Sequence, residues 1–105
     1  MLMLFMADIV KPAGMDDAEF FKIWKAESVA AVAGLDAGGI NHLWKAAGQY
    51  QVIGVFDLAD GNEMDAALHG LPIWQSGHHE MAQNIKWIPL RDYRDWAKDL
   101  QSLSP

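Results

Sequence analysis

Apolar residues fill almost every one of the first ten positions, MLMLFMADIV, which predicts a strand buried on both faces, and Lys11-Pro12-Ala13-Gly14 breaks it. Asp16 is placed to cap a helix, with Glu19 three residues on to complete a capping box. The run AEFFKIWKAESVAAVAGL then carries about 17 helical residues to Gly34 without an internal Gly or Pro. Gly38-Gly39 reopens the chain into INHLWKAA, and Gly48-Gln49 turns it into YQVIGVFDL, the pattern of a two-stranded hairpin. Asp60-Gly61-Asn62 caps a shorter helix, NEMDAALHG, which stops at Gly70 with Pro72 beyond it. LPIWQSGHHEM reads as a loop, and Asn84–Leu90 as a last strand ending at Pro89. RDYRDWAKDL closes the chain as a helix with Tyr93, Trp96, Ala97 and Leu100 on one face.

The order strand, helix, strand, strand, helix, strand is the split βαβ pattern of an α+β, ferredoxin-like βαββαβ domain. No linker or repeat divides it, so residues 1–105 are expected to form one domain, with 91–105 as a C-terminal helical arm. A four-stranded sheet with helices on one face leaves the other face open, and a second copy of the chain is the natural cover. The first helix agrees, because Phe21, Val29 and Val32 lie away from the stripe that Phe20, Ile23, Trp24 and Ala31 define. A homo-oligomer, a dimer or a larger ring, is the expectation.

Composition sharpens this. The chain has 105 residues, 51% of them hydrophobic, which is slightly more than one small core needs. The surplus fits a subunit interface or a ligand cavity. Eight basic residues stand against 14 acidic ones, a net charge of −6 that repels a phosphate backbone, so nucleic acid is not an expected partner. The absence of Cys removes disulfides, zinc–thiolate sites and thiol nucleophiles, and suits a reducing compartment. Met1–Met6 is too short for a membrane span or a signal core, which leads to a soluble, cytoplasmic protein without a membrane partner.

Helical spacing puts Glu27 in the middle of the apolar stripe of Phe20, Ile23, Trp24, Ala30, Ala31 and Gly34. Desolvation there raises a carboxylate's pKa and makes it a stronger base when ionised. The alternative is structural: Glu27 reaches solvent at the sheet edge, or pairs with Lys45 or His42. On the second strand His42 shares a face with Ile40 and Trp44, while Asn41, Leu43 and Lys45 point the other way. A histidine on such a strand serves as a hydrogen-bonded core residue or as a catalytic donor. Gln49 and Tyr50 follow the turn and are able to donate to a substrate oxygen. His78-His79-Glu80 lacks the spacing of a metal site, since adjacent side chains diverge, so no metal is expected and a loop anchored by Trp74 is the better reading. No nucleophile elbow and no phosphate-cradling glycine motif is present.

The segment His42-Leu43-Trp44-Lys45-Ala46-Ala47-Gly48-Gln49-Tyr50, then Val55-Phe56-Asp57, then Leu71-Pro72-Ile73-Trp74, resembles the muconolactone Δ-isomerase family, in which H-L-W-R-x-A-G-x-Y is followed by S-V-F-D and L-P-L-F. The likeness includes Met3-Leu4-Phe5-Met6 and the helix around Lys25-Ala26-Glu27. It implies a dimeric α+β barrel, assembled into dimers and higher rings, that moves a double bond in a small unsaturated lactone by proton transfer and needs no cofactor. On this resemblance Glu27, His42 and Tyr50 are the catalytic candidates, and Trp24, Trp44, Lys45, Gln49 and Trp74 are the substrate-binding ones. The chain departs from the family at Asn41 and Lys45, both arginine there, and at Gln49, histidine there. Losing two guanidinium forks removes bidentate carboxylate recognition, which points to a divergent member with a less charged substrate.

The implied mechanism has Glu27 take a C–H proton from a carbon conjugated with the lactone carbonyl and return it two carbons along. His42, Lys45 and Tyr50 would stabilise the dienolate, while Trp24, Trp44 and Trp74 exclude water. Two other readings share the fold: a non-catalytic small-molecule-binding or accessory protein, and a cofactor-free monooxygenase. A Glu27 that faces water favours the binder, and one that faces a cavity favours catalysis.

Overall fold

In the computed structural model, which describes residues 1–104, the first strand is β1, Leu2–Ile9. Met3, Phe5, Ala7 and Ile9 are buried on one face, while Leu4, Met6 and Asp8 are only half-buried on the other. The alternation arises because helices cover one side of the sheet alone. β2 (His42–Lys45), β3 (Gln51–Asp57) and β4 (Ala82–Pro89) complete an antiparallel sheet in the order β2-β3-β1-β4. This is the ferredoxin-like α+β topology that the element order predicts.

Helix α1, Asp17–Asp36, starts at the expected cap, with the Asp16 carboxylate accepting from the Glu19 N–H at 2.8 Å. It runs past Gly34. That glycine is a packing position rather than a stop, because a Cβ on it would lie 2.9 Å from Ile40 Cδ1, and the Gly34 carbonyl accepts from both Gly39 and Ile40. The left-handed turn comes later, at Gly38, with φ of 81°. α2 (Gly61–His69) is capped by Asp60, which accepts from the Glu63 N–H, and ends at Gly70 as expected.

The segment read as a loop is ordered. Pro72–Gln75 forms the one-turn helix α3, with Pro72 in its first turn, and His79–Met81 makes a 3₁₀ turn. β4 then begins at Ala82, two residues before the expected start. A register shift between Met6 and Asp8 accommodates Asn84, which has φ of 51° and whose amide donates to Asp8 Oδ2 at 2.9 Å.

The core is small and lies toward the first half of α1. Ile9, Phe20, Ile73, Met81 and Ala82 are its buried members, with Met15, Ile23, Trp24 and Val52 packed around them. Along the second half of α1 the cavity-lining positions are small: Ala30 and Ala31 on the helix, and Ala66, Ala67 and Gly70 after it in the chain. Side chains of that size do not fill the space above the sheet, and a cavity takes the place of a core there. The last helix, α4 (Tyr93–Leu103), stands apart, and the described chain measures 60 × 27 × 22 Å. Its Cα radius of gyration is 16.6 Å, against about 13 Å for a compact chain of this length.

Candidate active site

The cavity has a volume of about 650 Å³. Phe5, Ala7 and Ile9 of β1, Leu43 and Lys45 of β2, and Val52 and Phe56 of β3 form its floor. These residues share the helix-facing side of the sheet, since Phe5 and Leu43 both sit opposite Gly54, and Ala7 and Lys45 both sit opposite Val52. Trp24, Glu27, Ala31 and Leu35 of α1 make one wall, and the segment from Gly70 to Ile73 makes another.

Glu27 is half-buried on that wall. Its Oε2 accepts from the backbone N–H of Ile73 at 2.9 Å, and Oε1 has no hydrogen-bond partner among the described residues. The donor belongs to the first turn of α3, whose N–H groups have no intrahelical acceptors. Burial pushes the Glu27 carboxyl above its usual range, and the Ile73 hydrogen bond opposes this without cancelling it. No ion pair joins Glu27 to Lys45 or His42 among the described residues. One of its two oxygens is satisfied by backbone, and the charge itself is left without an ion-pair partner.

The predicted site residues fall into two groups. Trp24, Glu27, Trp44 and Lys45 border the cavity. His42, Gln49, Tyr50 and Trp74 do not contribute to its wall in the single chain. The pleat explains His42: with Trp44 it points to the outer sheet face, where the two rings stack 5.2 Å apart at 5°. Trp44 therefore touches the cavity only from the edge strand. Tyr50, half exposed, packs its ring edge-on to Trp24 at 5.3 Å and so backs the wall from behind. Lys45 Nζ donates to the Ala46 carbonyl at 3.0 Å and lies 5.8 Å from the centre of the Tyr50 ring. Gln49 sits in the β2–β3 turn, its N–H donating to the Ala46 carbonyl at 3.3 Å.

Trp74 lies between His69, 5.7 Å away, and His79, 5.3 Å away. Its buried Nε1 has no hydrogen-bond partner among the described residues. His78 Nδ1 stands 3.9 Å from Glu80, and no group of three or more His, Cys, Asp or Glu able to hold a metal ion occurs among the described residues. The group that sequence reasoning missed is the Ile73 N–H. Leu71-Pro72 carried the signal, since proline favours the first helical position.

Fold and site together define a ferredoxin-like α+β domain with a lone desolvated carboxylate on the wall of an apolar cavity. A family model for muconolactone delta-isomerase matches residues 1–96, and the chain belongs to that family. It is similar to the muconolactone Delta-isomerase of Acinetobacter baylyi, with 28% identity over 74 residues covering 70% of this chain and 77% of that one. It also superposes on a crystal structure of muconolactone isomerase with a TM-score of 0.68 at 26% identity, covering 86% of this chain and 88% of the other. No helix of the described residues is long and apolar enough to cross a membrane.

Proposed function

We propose that the protein is a cofactor-independent isomerase that shifts a double bond in an unsaturated lactone by proton transfer through Glu27. The observation that carries this reading is the Glu27 carboxylate: half-buried, lining an apolar cavity, bonded to Ile73 through one oxygen, and with the other oxygen unbonded. A base in that setting is poised for weakly acidic C–H bonds, because ionised carboxylate is under-solvated and regains stability by taking a proton. Glu27 takes the proton from the carbon next to the carbonyl. The electron pair passes into a dienolate, and Glu27 returns the proton to the carbon at the far end of the conjugated system. No atom is gained or lost and no redox partner is required.

Lys45, the cation on the cavity wall, is proposed to stabilise the dienolate oxygen. Tyr50 and His42 are proposed as positioning residues, Tyr50 by bracing Trp24 and His42 by stacking on Trp44. A homo-oligomer in the form of a dimeric barrel belongs to the same proposal, supported by the uncovered sheet face, as does the cytoplasmic location expected of a cysteine-free chain. The test is α-angelica lactone, a small neutral β,γ-unsaturated lactone, in deuterated water. Migration of its double bond with the transferred hydrogen largely retained rather than replaced by deuterium, followed by NMR, is expected from wild type, and no migration from Glu27→Gln. Equal rates for the two proteins would overturn the assignment.

A further inference from the structure

The cavity is much larger than a one-ring lactone requires. A volume of about 650 Å³ lies in the middle of the range, roughly 300–1,000 Å³, of sites that bury ligands of drug size. The space is built by methyl-sized side chains, Ala30 and Ala31 on α1 with Ala66 and Ala67 on α2, and it continues past Leu35 to Ile40. Small residues on both walls leave room for a ligand body and supply only hydrocarbon contact to it.

The charges on the wall point the same way. Among the described residues that line the cavity, Glu27 is the acid and Lys45 the base. An acidic ligand would bring a second negative charge into an apolar space already holding Glu27, which disfavours both. Lys45 is a weak counterweight, being solvent-exposed on the edge strand and engaged with the Ala46 carbonyl. It also lacks the planar fork that grips a carboxylate.

We propose that this cavity takes an uncharged substrate, in which the unsaturated lactone carries a hydrophobic body of at least two rings. The proposal rests on the isomerase reading for the reacting group alone. The lactone lies at the Glu27–Ile73 end, and the body extends along Ala30, Ala31 and Leu35. Proton removal, dienolate formation and return of the same proton balance as before, with the hydrophobic body unchanged.

The experiment uses three saturated γ-butyrolactones, which bind without turning over, carrying at the γ carbon a methyl, a carboxymethyl or a 2-naphthylmethyl group. Calorimetry on wild-type protein is expected to give at least tenfold tighter binding for the naphthylmethyl compound than for the methyl one, and no gain for the carboxymethyl compound. Tighter binding of the carboxymethyl lactone than of the methyl one, or no gain from the naphthyl group, would overturn the proposal. Ala31→Leu and Ala66→Leu narrow the cavity from two different helices. Whichever keeps the wild-type circular dichroism is expected to lose at least fivefold in naphthylmethyl affinity while methyl affinity stays. Retention of naphthylmethyl affinity there would place the compound elsewhere and also overturn the proposal. An unsaturated naphthylmethyl lactone that binds but is not isomerised would sink the isomerase reading and leave the cavity assignment standing.

Discussion

The Ile73 N–H donates to Glu27 Oε2 at 2.9 Å, joining α1 to α3 across 46 positions of sequence. The same contact restrains the carboxylate and leaves its other oxygen without a hydrogen-bond partner on a side chain that lines the cavity. Glu27→Gln keeps an oxygen for Ile73 and removes the base. Isomerase activity is expected to fall by about 10²–10⁴, the usual contribution of a general base, with circular dichroism and oligomeric state unchanged. Steady-state rates on α-angelica lactone, read beside a far-ultraviolet circular dichroism spectrum and a sedimentation run, check both halves.

The raised Glu27 pKa has opposite consequences for activity and stability. Activity needs the ionised form, so kcat/KM is expected to fall on the acid side at a pH above the usual carboxylate range, with the limb absent from the residual rate of Glu27→Gln. For stability, the folded state holds the Glu27 proton more tightly than the unfolded state. Folding is unpenalised below the unfolded pKa, and stability is lost as pH rises from there through the folded pKa. Glu27→Gln is therefore expected to melt higher than wild type at pH 7. The difference should vanish below about pH 4, where the unfolded carboxyl is protonated too. A thermal-melt series from pH 3 to 8 reads the sign directly.

Local signals in the sequence carried most of the fold. Asp16 and Asp60 announce their helices because a side-chain cap is a matter of four consecutive residues, and the apolar stripe around Glu27 repeats with the helical period. Features set by tertiary contact were not legible. Gly34 looks like a helix stop until Ile40 is seen packed against it. The early start of β4 depends on Asn84 meeting Asp8 from 76 positions away. The candidate site divides along the same line. Glu27 was visible as a charge in an apolar stripe, but its partner was not, because the Ile73 N–H becomes a free donor only once α3 has formed. Strand alternation places His42 and Trp44 on one face, where their rings stack, but alternation alone does not say which face the helices cover.

The small core makes each of its large members count. Phe20 is 1% exposed and touches Trp24 and Tyr50, with ring centres 5.8 Å and 6.0 Å away. Phe20→Ala is expected to cost about 3–5 kcal/mol, a large part of a small domain's total of about 5–15 kcal/mol. Because Trp24 and Tyr50 lean on the same ring, the loss should also loosen the cavity wall. Urea denaturation is expected to show a lower midpoint, and tryptophan fluorescence a red shift before global unfolding.

The outer face of the sheet sets the last expectation. Met6 and Ile53 sit opposite each other on β1 and β3, half-buried, with Trp44 53% exposed beside them on β2 and Ile88 43% exposed on β4. Large apolar side chains grouped on a sheet face are characteristic of a contact surface, and Lys86, opposite Met6 on β4, is the charged residue beside them. A second copy of the sheet would bury this face and close a barrel. Sedimentation equilibrium is expected to give a species of at least two chains for wild type. The double substitution Met6→Lys with Ile53→Lys puts two like charges directly opposite in the centre of the face, where they repel and must be desolvated to pair the sheets. That variant should sediment as one chain while keeping wild-type circular dichroism, because both positions point away from the core. A wild-type chain that sediments as a monomer at tens of micromolar would remove the sheet face as an interface.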